Sequence, residues 1–493
     1  MAEDTTEFST TKMQEKKLSQ KSAQVGDNNA QSSTDIWREF VNGTTLHGIR
    51  YVFMRRQIFI RLIWMIMLLS SGGYYISTVY GAFAKYYDRP VTTLVSRNRL
   101  KEMDFPAVTI CPLNLFTKSK IFMKDDDPLF ASSGLNISTC AVTAEVRGNR
   151  PCGLSILCCC FPADLETDLP FCESQYKQVL LKVMLQQSNR LDVENFFRLY
   201  SQNTTSMIGP LCTFGWDDAA CSPADFVPVV TPWGMCFTFN SGTDNEVKIS
   251  KTAGVSSGLS VILDAQTLEY TQGKFSEGFK VLIHGQGEYI DEWEGINVGP
   301  GQHVVISLSQ KRYQNLEKPY ATNCTKKELN TYFTYTTEGC LYECLADNVI
   351  NYCGCRPAGY KVTSGTPGCI SSEELLCVEQ IADCQVPCSQ TKHHPEVSYS
   401  KFPDAGTADS FIKSGYYADK QYQRDNLVLL QVGFKSLSYE MQEQQPAYDS
   451  NSLFGEIGGN MGLFLGCSLL TICEFLDFLI SFLSARNRHV THS

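Results

Sequence analysis

Apolar and polar positions divide the chain into four unequal stretches. Residues 1–34 mix Ser, Thr, Gln, Lys and Asp with a single aromatic, Phe8. That composition cannot bury enough apolar surface to fold, and it holds no apolar run of the kind found in signal sequences. Leu62–Ala84 then runs 23 residues without a charge, more than the roughly 20 a helix needs to cross a bilayer. A second apolar stretch covers Leu453–Leu483, with Ile457–Cys473 uncharged. Between the two, strand-like runs at 106–116, 235–241, 258–265, 279–285, 303–313 and 426–434 predict a central β-sheet. Helical patterns are fewer, at 176–187 and 339–353, and the latter places Cys340 and Cys344 one turn apart. No internal repeat is visible.

The flanks orient this arrangement. Arg50, Arg55, Arg56 and Arg61 precede the first apolar stretch, and Arg486 and Arg488 follow the second. Positive flanks place both termini in the cytosol. Seventeen uncharged residues are short for a solitary span and leave a buried core helix as the alternative, but Gly458, Gly462 and Gly466 recur every four residues on one helical face. This is the small-residue spacing by which membrane helices approach closely, whereas so many glycines weaken a soluble helix. The expected layout is a cytosolic tail at 1–57, a first span at 58–81, an extracellular domain at 82–450, a second span at 451–483 and a cytosolic tail at 484–493. Glycosylation sequons at Asn136, Asn203 and Asn323 fall outside, and the one at Asn42 lies on the cytosolic side, where it stays silent.

Composition sharpens the picture. Nineteen of the 21 cysteines lie between the spans, so the middle of the chain is read as a disulfide framework in an oxidising space. The formal charge is −10 and no basic cluster follows a phosphate backbone, which argues against nucleic acid. Enzyme readings are poor. The seven histidines are scattered, His393–His394 lacks the spacing of a zinc protease, and GQGEYI at 285–290 is no phosphate loop. Cys353 with Cys355, and Cys158–Cys160, read as disulfide partners rather than metal ligands, so neither metal nor cofactor is expected. The second span is more informative, because it carries Glu456 near its outer end and Glu474 and Asp477 toward its inner end. Carboxylates at membrane depth are costly unless they face water or a partner, so by default they mark an ion path; Asp477 also reads as a snorkelling interfacial acid. A lone helix encloses no water, so helices from several subunits must converge.

At this point the sequence is similar to the degenerin/epithelial sodium channel/acid-sensing ion channel superfamily, from Leu46 to the end of the second span. The resemblance rests on His47–Gly48, FPAVTIC at 105–111, GMCFTFNSG at 234–242, the cysteine-dense block 324–388 and GEIGGNMGLFLGCSLLTICEFLDF at 455–478. It implies a two-span membrane protein with a disulfide-rich α+β ectodomain built as palm, finger (about 117–210) and thumb (about 320–390) around a central β-sheet. Three subunits, alike or mixed, would form a sodium-permeable pore blocked by amiloride. The resemblance assigns the selectivity filter to Gly466, Cys467 and Ser468, the gate to Ser452, and a gating role to His47–Gly48, with Tyr74, Tyr75 and Tyr320 coupling the first span to the thumb. It also implies the pairs Cys111–Cys236, Cys212–Cys221, Cys324–Cys388, Cys340–Cys384, Cys353–Cys377 and Cys355–Cys369. Cys344 loses its usual partner position, which is Ala382 here. Cys140, Cys152, Cys158, Cys159, Cys160 and Cys172 stay unassigned.

The stimulus is less determined. Acid-sensing members carry a histidine pair after the first span, whereas Arg89 and Pro90 stand there in this chain, so a switch titrating near neutrality is missing at that place. The cysteine-rich finger with its insertion FPADLETDLPF at 161–171 resembles that of peptide-gated members. A cationic amidated neuropeptide suits the acidic, aromatic-bearing surface. Opening by an extracellular neuropeptide is therefore the first expectation. Opening by protons through carboxylate pairs is the alternative.

Overall fold

A computed structural model describes residues 33–53, 57–122, 193–231, 234–243, 246–270, 276–357, 359–360, 366, 369 and 384–490. The chain forms two compact units, one of residues 93–445 and one joining residues 1–92 to 446–493.

The larger unit is built on two main sheets where a single central sheet was expected. The first contains β1 (Val91–Arg99), β4 (Ile208–Phe214), β5 (Ala219–Ala220), β9 (Leu259–Asp264), β12 (Gln302–Gln314), β13 (Ser389–Lys401) and β14 (Leu427–Pro446). Its spatial order is β13-β12-β14-β9-β4-β5, with β1 also pairing β14. β12 runs parallel to β14 and antiparallel to β13. The second sheet has the order β11-β10-β3-β7-β6, from β3 (Ala107–Pro112), β6 (Phe226–Thr231), β7 (Gly234–Phe239), β10 (Phe279–His284) and β11 (Ile296–Val298), and β2 (Met103–Asp104) pairs with β8 (Ile249–Ser250) in a small ladder of their own.

The burial patterns explain the division. On β12 alternate residues Val304, Ile306 and Leu308 are buried, the two-residue period of a strand with one covered face. β3, β7 and β9 are buried at every position, and their few polar residues are bonded inside, as where Thr109 and Thr238 share a hydroxyl bond at 2.7 Å. The two sheets share one core in which Phe105 meets Phe214, Phe239 and Phe434 edge-on or tilted. Each such ring contributes about 1.5–3 kcal/mol by burial.

Five disulfides among the described residues staple this unit. Cys111–Cys236 joins β3 to β7, Cys212–Cys221 closes the β4–β5 hairpin, and Cys324–Cys388 ties the segment after β12 to the start of β13. Cys340–Cys384 anchors the helix Thr337–Cys353, and Cys355–Cys369 closes a short loop beyond it. Cys344 on that helix is free and half-buried, with the Asn348 amide donating to its sulfur at 3.8 Å. Cys377 and the Cys353 side chain lie outside the described residues. So do Asn136, Ala382, the six unassigned cysteines, the pattern at 176–187 and the insertion at 161–171.

The smaller unit is helical: α1 (Ser33–Gly43), α2 (Ile49–Phe53), α3 (Ile58–Asp88), α10 (Ser450–Leu465) and α11 (Leu469–Val490). Among the described residues the larger unit carries α4 (Lys118–Ile121), α5 (Val193–Tyr200), α6 (Thr204–Met207), α7 (Thr337–Cys353), α8 (Ala405–Lys413) and α9 (Lys420–Asn426). α3 is long and apolar enough to cross a membrane by itself, and it runs past residue 81 to Asp88. Its helix ends at Arg89, which adopts φ 51° and holds its guanidinium 4.2 Å from the Tyr86 ring; Pro90 then prevents continuation. The second apolar stretch, expected as one continuous span, is instead two helices bent by 71° at a short break, and together they meet the same length and hydropathy measure.

Candidate functional site

The break between α10 and α11 falls at Gly466, Cys467 and Ser468. Gly466 takes φ +65°, a left-handed conformation that costs a side-chain-bearing residue about 1–2 kcal/mol. Its N–H donates to the Gly462 carbonyl and the Cys467 N–H to that of Met461 at 3.4 Å, which closes α10 in the manner of a glycine C-cap. On the far side the Ser468 N–H donates to Thr471 Oγ1 at 2.9 Å and Thr471 N–H returns to the Ser468 carbonyl, starting α11 afresh. The four-residue glycine spacing read as a packing face thus also supplies the residue that ends the helix. Gly455, Gly458 and Gly459 remain open, since a β-carbon on any of them would meet nothing within 4 Å of this chain.

The His47–Gly48 turn lies directly against this break. The His47 N–H donates to the Leu465 carbonyl at 3.1 Å, and a β-carbon on Gly466 would run into the imidazole ring of His47. Gly48, at φ +93°, makes the turn into α2. The segment before it is held by Glu474, whose carboxylate accepts from Thr44 Oγ1 at 3.1 Å and from Thr45 N–H at 2.9 Å, while Thr45 and Thr471 share a hydroxyl contact at 2.5 Å. Bonds to a charged acceptor contribute about 1.5–3 kcal/mol each. Phe40 of α1 stacks on Phe478 at 4.5 Å and meets Phe475 at 4.9 Å, which fixes α1 along α11.

The other sequence-predicted positions separate. Glu474 is engaged by the Thr44–Thr45 segment, whereas Asp477, one turn on, is exposed. Glu456 accepts the Tyr448 hydroxyl at 2.6 Å, and Lys85 sits 4.6 Å over the Tyr448 ring. Ser452 is exposed in the first turn of α10, where its N–H donates to the capping Asp449 carboxylate at 2.8 Å. Tyr74 packs edge-on against Phe464 at 4.7 Å, Ser71 Oγ donates to the Phe464 carbonyl, and Tyr75 accepts from Thr78 Oγ1. Tyr320 lies in the turn after β12. Asn203 is exposed and caps a short helix by accepting from Ser206 N–H, and Asn323 is half-buried at φ 44°. Among the described residues no group of three His, Cys, Asp or Glu side chains is arranged to hold a metal.

Thr44, Thr45, Thr471 and Tyr448 were not singled out from the sequence. Their partners lie far away along the chain or carry no local signature; the Asp449-x-x-Ser452 cap was the one readable signal.

The sequence pattern of the family described as "Amiloride-sensitive sodium channel" matches residues 40–478. Acid-sensing ion channel 1A of Danio rerio is 28% identical over 469 residues, covering 91% of this chain and 88% of that protein. Acid-sensing ion channel 1 of Gallus gallus is 27% identical over 466 residues, with 89% and 82% covered. Acid-sensing ion channel 2 of Homo sapiens is 28% identical over 464 residues, with 89% and 85% covered. A solved structure of a proton-activated chloride channel superposes with TM-score 0.32 and 7% identity, covering 85% of this chain and 95% of that one, too low to argue a shared fold. The family is one of ion channels, not enzymes, and the match spans the His-Gly turn, the disulfide-bearing sheets and the broken helix pair: the chain belongs to the amiloride-sensitive sodium channel family.

Proposed function

We propose that the chain is a subunit of a sodium-permeable, amiloride-blocked cation channel of the plasma membrane, with α3 and the α10–α11 pair as its two spans. On this reading residues 82–450 face outward, the segments 1–57 and 484–493 are cytosolic, and three chains surround the pore. The observation that carries the proposal is the break at Gly466–Ser468. A helix opened at three consecutive small residues offers carbonyls that can replace the hydration shell of a small cation once several chains converge. The open faces of Gly455, Gly458 and Gly459 suit that convergence. His47–Gly48 then supports the filter from the cytosolic side, Ser452 stands at the gate, and Glu456, Glu474 and Asp477 set the charge along the path.

The same reading assigns the remaining residues. Asn136, Asn203 and Asn323 are the glycan acceptors, and Cys353 pairs with Cys377. The relatives favour protons as the opening stimulus. One feature of the larger unit agrees with them. Burial pushes the Glu288 carboxyl above its ordinary range, and nearby Glu338 and Glu294 push it further, against the Gly285 N–H and Lys392. Two buried histidines are shifted the opposite way, since burial lowers His284 and brings His393 down to about 4. The neuropeptide alternative rests on the insertion at 161–171. Voltage clamp of cells expressing the chain, with an acid step, a panel of amidated peptides and amiloride, separates the two. Bulky substitutions at Gly466 or Ser468 that leave conductance and ion preference unchanged would refute the filter assignment.

A further inference from the structure

The outer ends of α3 and α10 meet around one phenol. Tyr448, in the turn before α10, is 5% exposed and packs with Ala82 of α3 and Leu453 of α10, flanked by Tyr86 and Ile457. Beside it the Ala447 N–H donates to the Pro90 carbonyl at 2.8 Å, which fixes the turn against the end of α3. Two opposite charges engage this one side chain. Its hydroxyl donates to Glu456 Oε2 at 2.6 Å, and the Lys85 ammonium stands over its face, 4.6 Å from the ring centroid. Lys85 on α3 and Glu456 on α10 are both exposed, so neither charge is held by burial.

An exposed ammonium and an exposed carboxylate on neighbouring helix ends attract one another, and both side chains have the rotamer freedom to meet. The phenol gives each a different partner: the quadrupole of its face takes the cation, and its hydroxyl takes the anion. We infer that Tyr448 is a positioning residue of the outer pore mouth, a wedge that keeps the Glu456 carboxylate from pairing with Lys85 and so leaves its charge available to permeating cations. The inference rests on the reading of α10 as pore-lining; within that reading, Tyr448 decides how much of the Glu456 charge a sodium ion meets. A phenylalanine at this place keeps the packing against Ala82 and Leu453 and the ring beneath Lys85, yet offers the carboxylate no donor. The released side chain then turns to Lys85, and the pair cancels the charge at the mouth.

The test reads the potential at the mouth without any current. Ser452 is exposed and lies one turn before Glu456 on α10, so Ser452→Cys supplies a reporter thiol. The purified full-length chain in detergent, at low ionic strength, is treated with a cationic or an anionic methanethiosulfonate. Mass spectrometry of the peptide carrying position 452 gives the ratio of the two labelling rates, in which changes of thiol exposure or reactivity cancel. Asp449, which accepts the N–H of residue 452, contributes equally in every variant. Tyr448→Phe lowers the cation-to-anion ratio at least about threefold, as the loss of one unit charge near the reporter requires. Glu456→Gln lowers it as far, and combining the two changes nothing more. Lys85→Met restores the ratio in the Tyr448→Phe chain, which also shows that this chain is folded. A Tyr448→Phe chain with an unchanged ratio, or one that Lys85→Met does not restore, would overturn the proposal, and so would a ratio indifferent to Glu456→Gln. The channel reading is judged separately, by recorded current.

Discussion

Gly466→Ala is a minimal perturbation of the helix break, one methyl group, and its cost can be worked from the geometry. The residue sits at φ +65°, which costs an alanine about 1–2 kcal/mol. Its β-carbon also meets the His47 ring, which supplies all three nearest atoms. Relief requires the 44–48 segment to withdraw, which weakens the His47–Leu465 bond and the charge-assisted bond from Thr45 N–H to Glu474, the latter about 1.5–3 kcal/mol. The total is about 2.5–5 kcal/mol, a shift of about two to three and a half decades in the equilibrium holding the turn against the break. Shortening the ring in His47→Ala removes the clash but leaves the backbone strain, so the double variant recovers the part due to the clash. The assay is single-channel recording of conductance and reversal potential for both single variants and the double, with surface biotinylation controlling for delivery. Gly466→Ala should lose sodium conductance and the double variant regain part of it. Additive effects with no rescue would refute the contact between His47 and the break.

Other consequences follow from the same geometry. Ser452→Trp places bulk at the exposed first turn of α10 and should raise resting current in unstimulated cells. Glu474→Gln keeps an acceptor for Thr44 and Thr45 but removes the charge, so it should weaken the turn by about 1–2 kcal/mol and alter ion preference less than Glu474→Ala does. Cys111→Ser opens a disulfide of sequence separation 125 between two buried strands; with loop entropies of about 4–5 kcal/mol at stake, surface delivery should fall sharply. Asp264 is raised by burial despite bonds from Gln266 N–H and the Tyr422 hydroxyl. Its folded form therefore binds its proton more tightly than the unfolded chain does, and stability falls as pH rises from the ordinary carboxylate range through the raised folded value. Asp264→Asn should flatten that part of the melting-temperature profile.

The parts of the fold that could be read in the sequence are those where one local signal decides. Long uncharged runs mark α3 and the α10–α11 pair, and continuous or alternating apolar residues mark β3, β7, β9, β10 and β12. β13 escaped because SQTKHHPEVSYSK is largely polar and half-exposed along one edge of its sheet, so no apolar alternation announces it. The second sheet escaped because strand runs carry no label of the sheet they join. The break in the second apolar stretch was hidden by Gly466 itself: its spacing satisfies a packing face, and only the backbone angle shows that it also ends a helix. The support of Gly466 by His47 and of the Thr44–Thr45 segment by Glu474 joins residues more than 400 positions apart, and no window of sequence displays such a contact.

The most direct test of the account is the reversal potential of the current carried by this chain, measured in whole-cell voltage clamp while external sodium is replaced by a large organic cation, with and without amiloride. The account predicts an amiloride-blocked current whose reversal potential moves negative as sodium is withdrawn, and a smaller shift when Ser468 is replaced by a bulky residue. A current that reverses at the same potential in both solutions, or that is indifferent to substitutions at both Gly466 and Ser468, would contradict it.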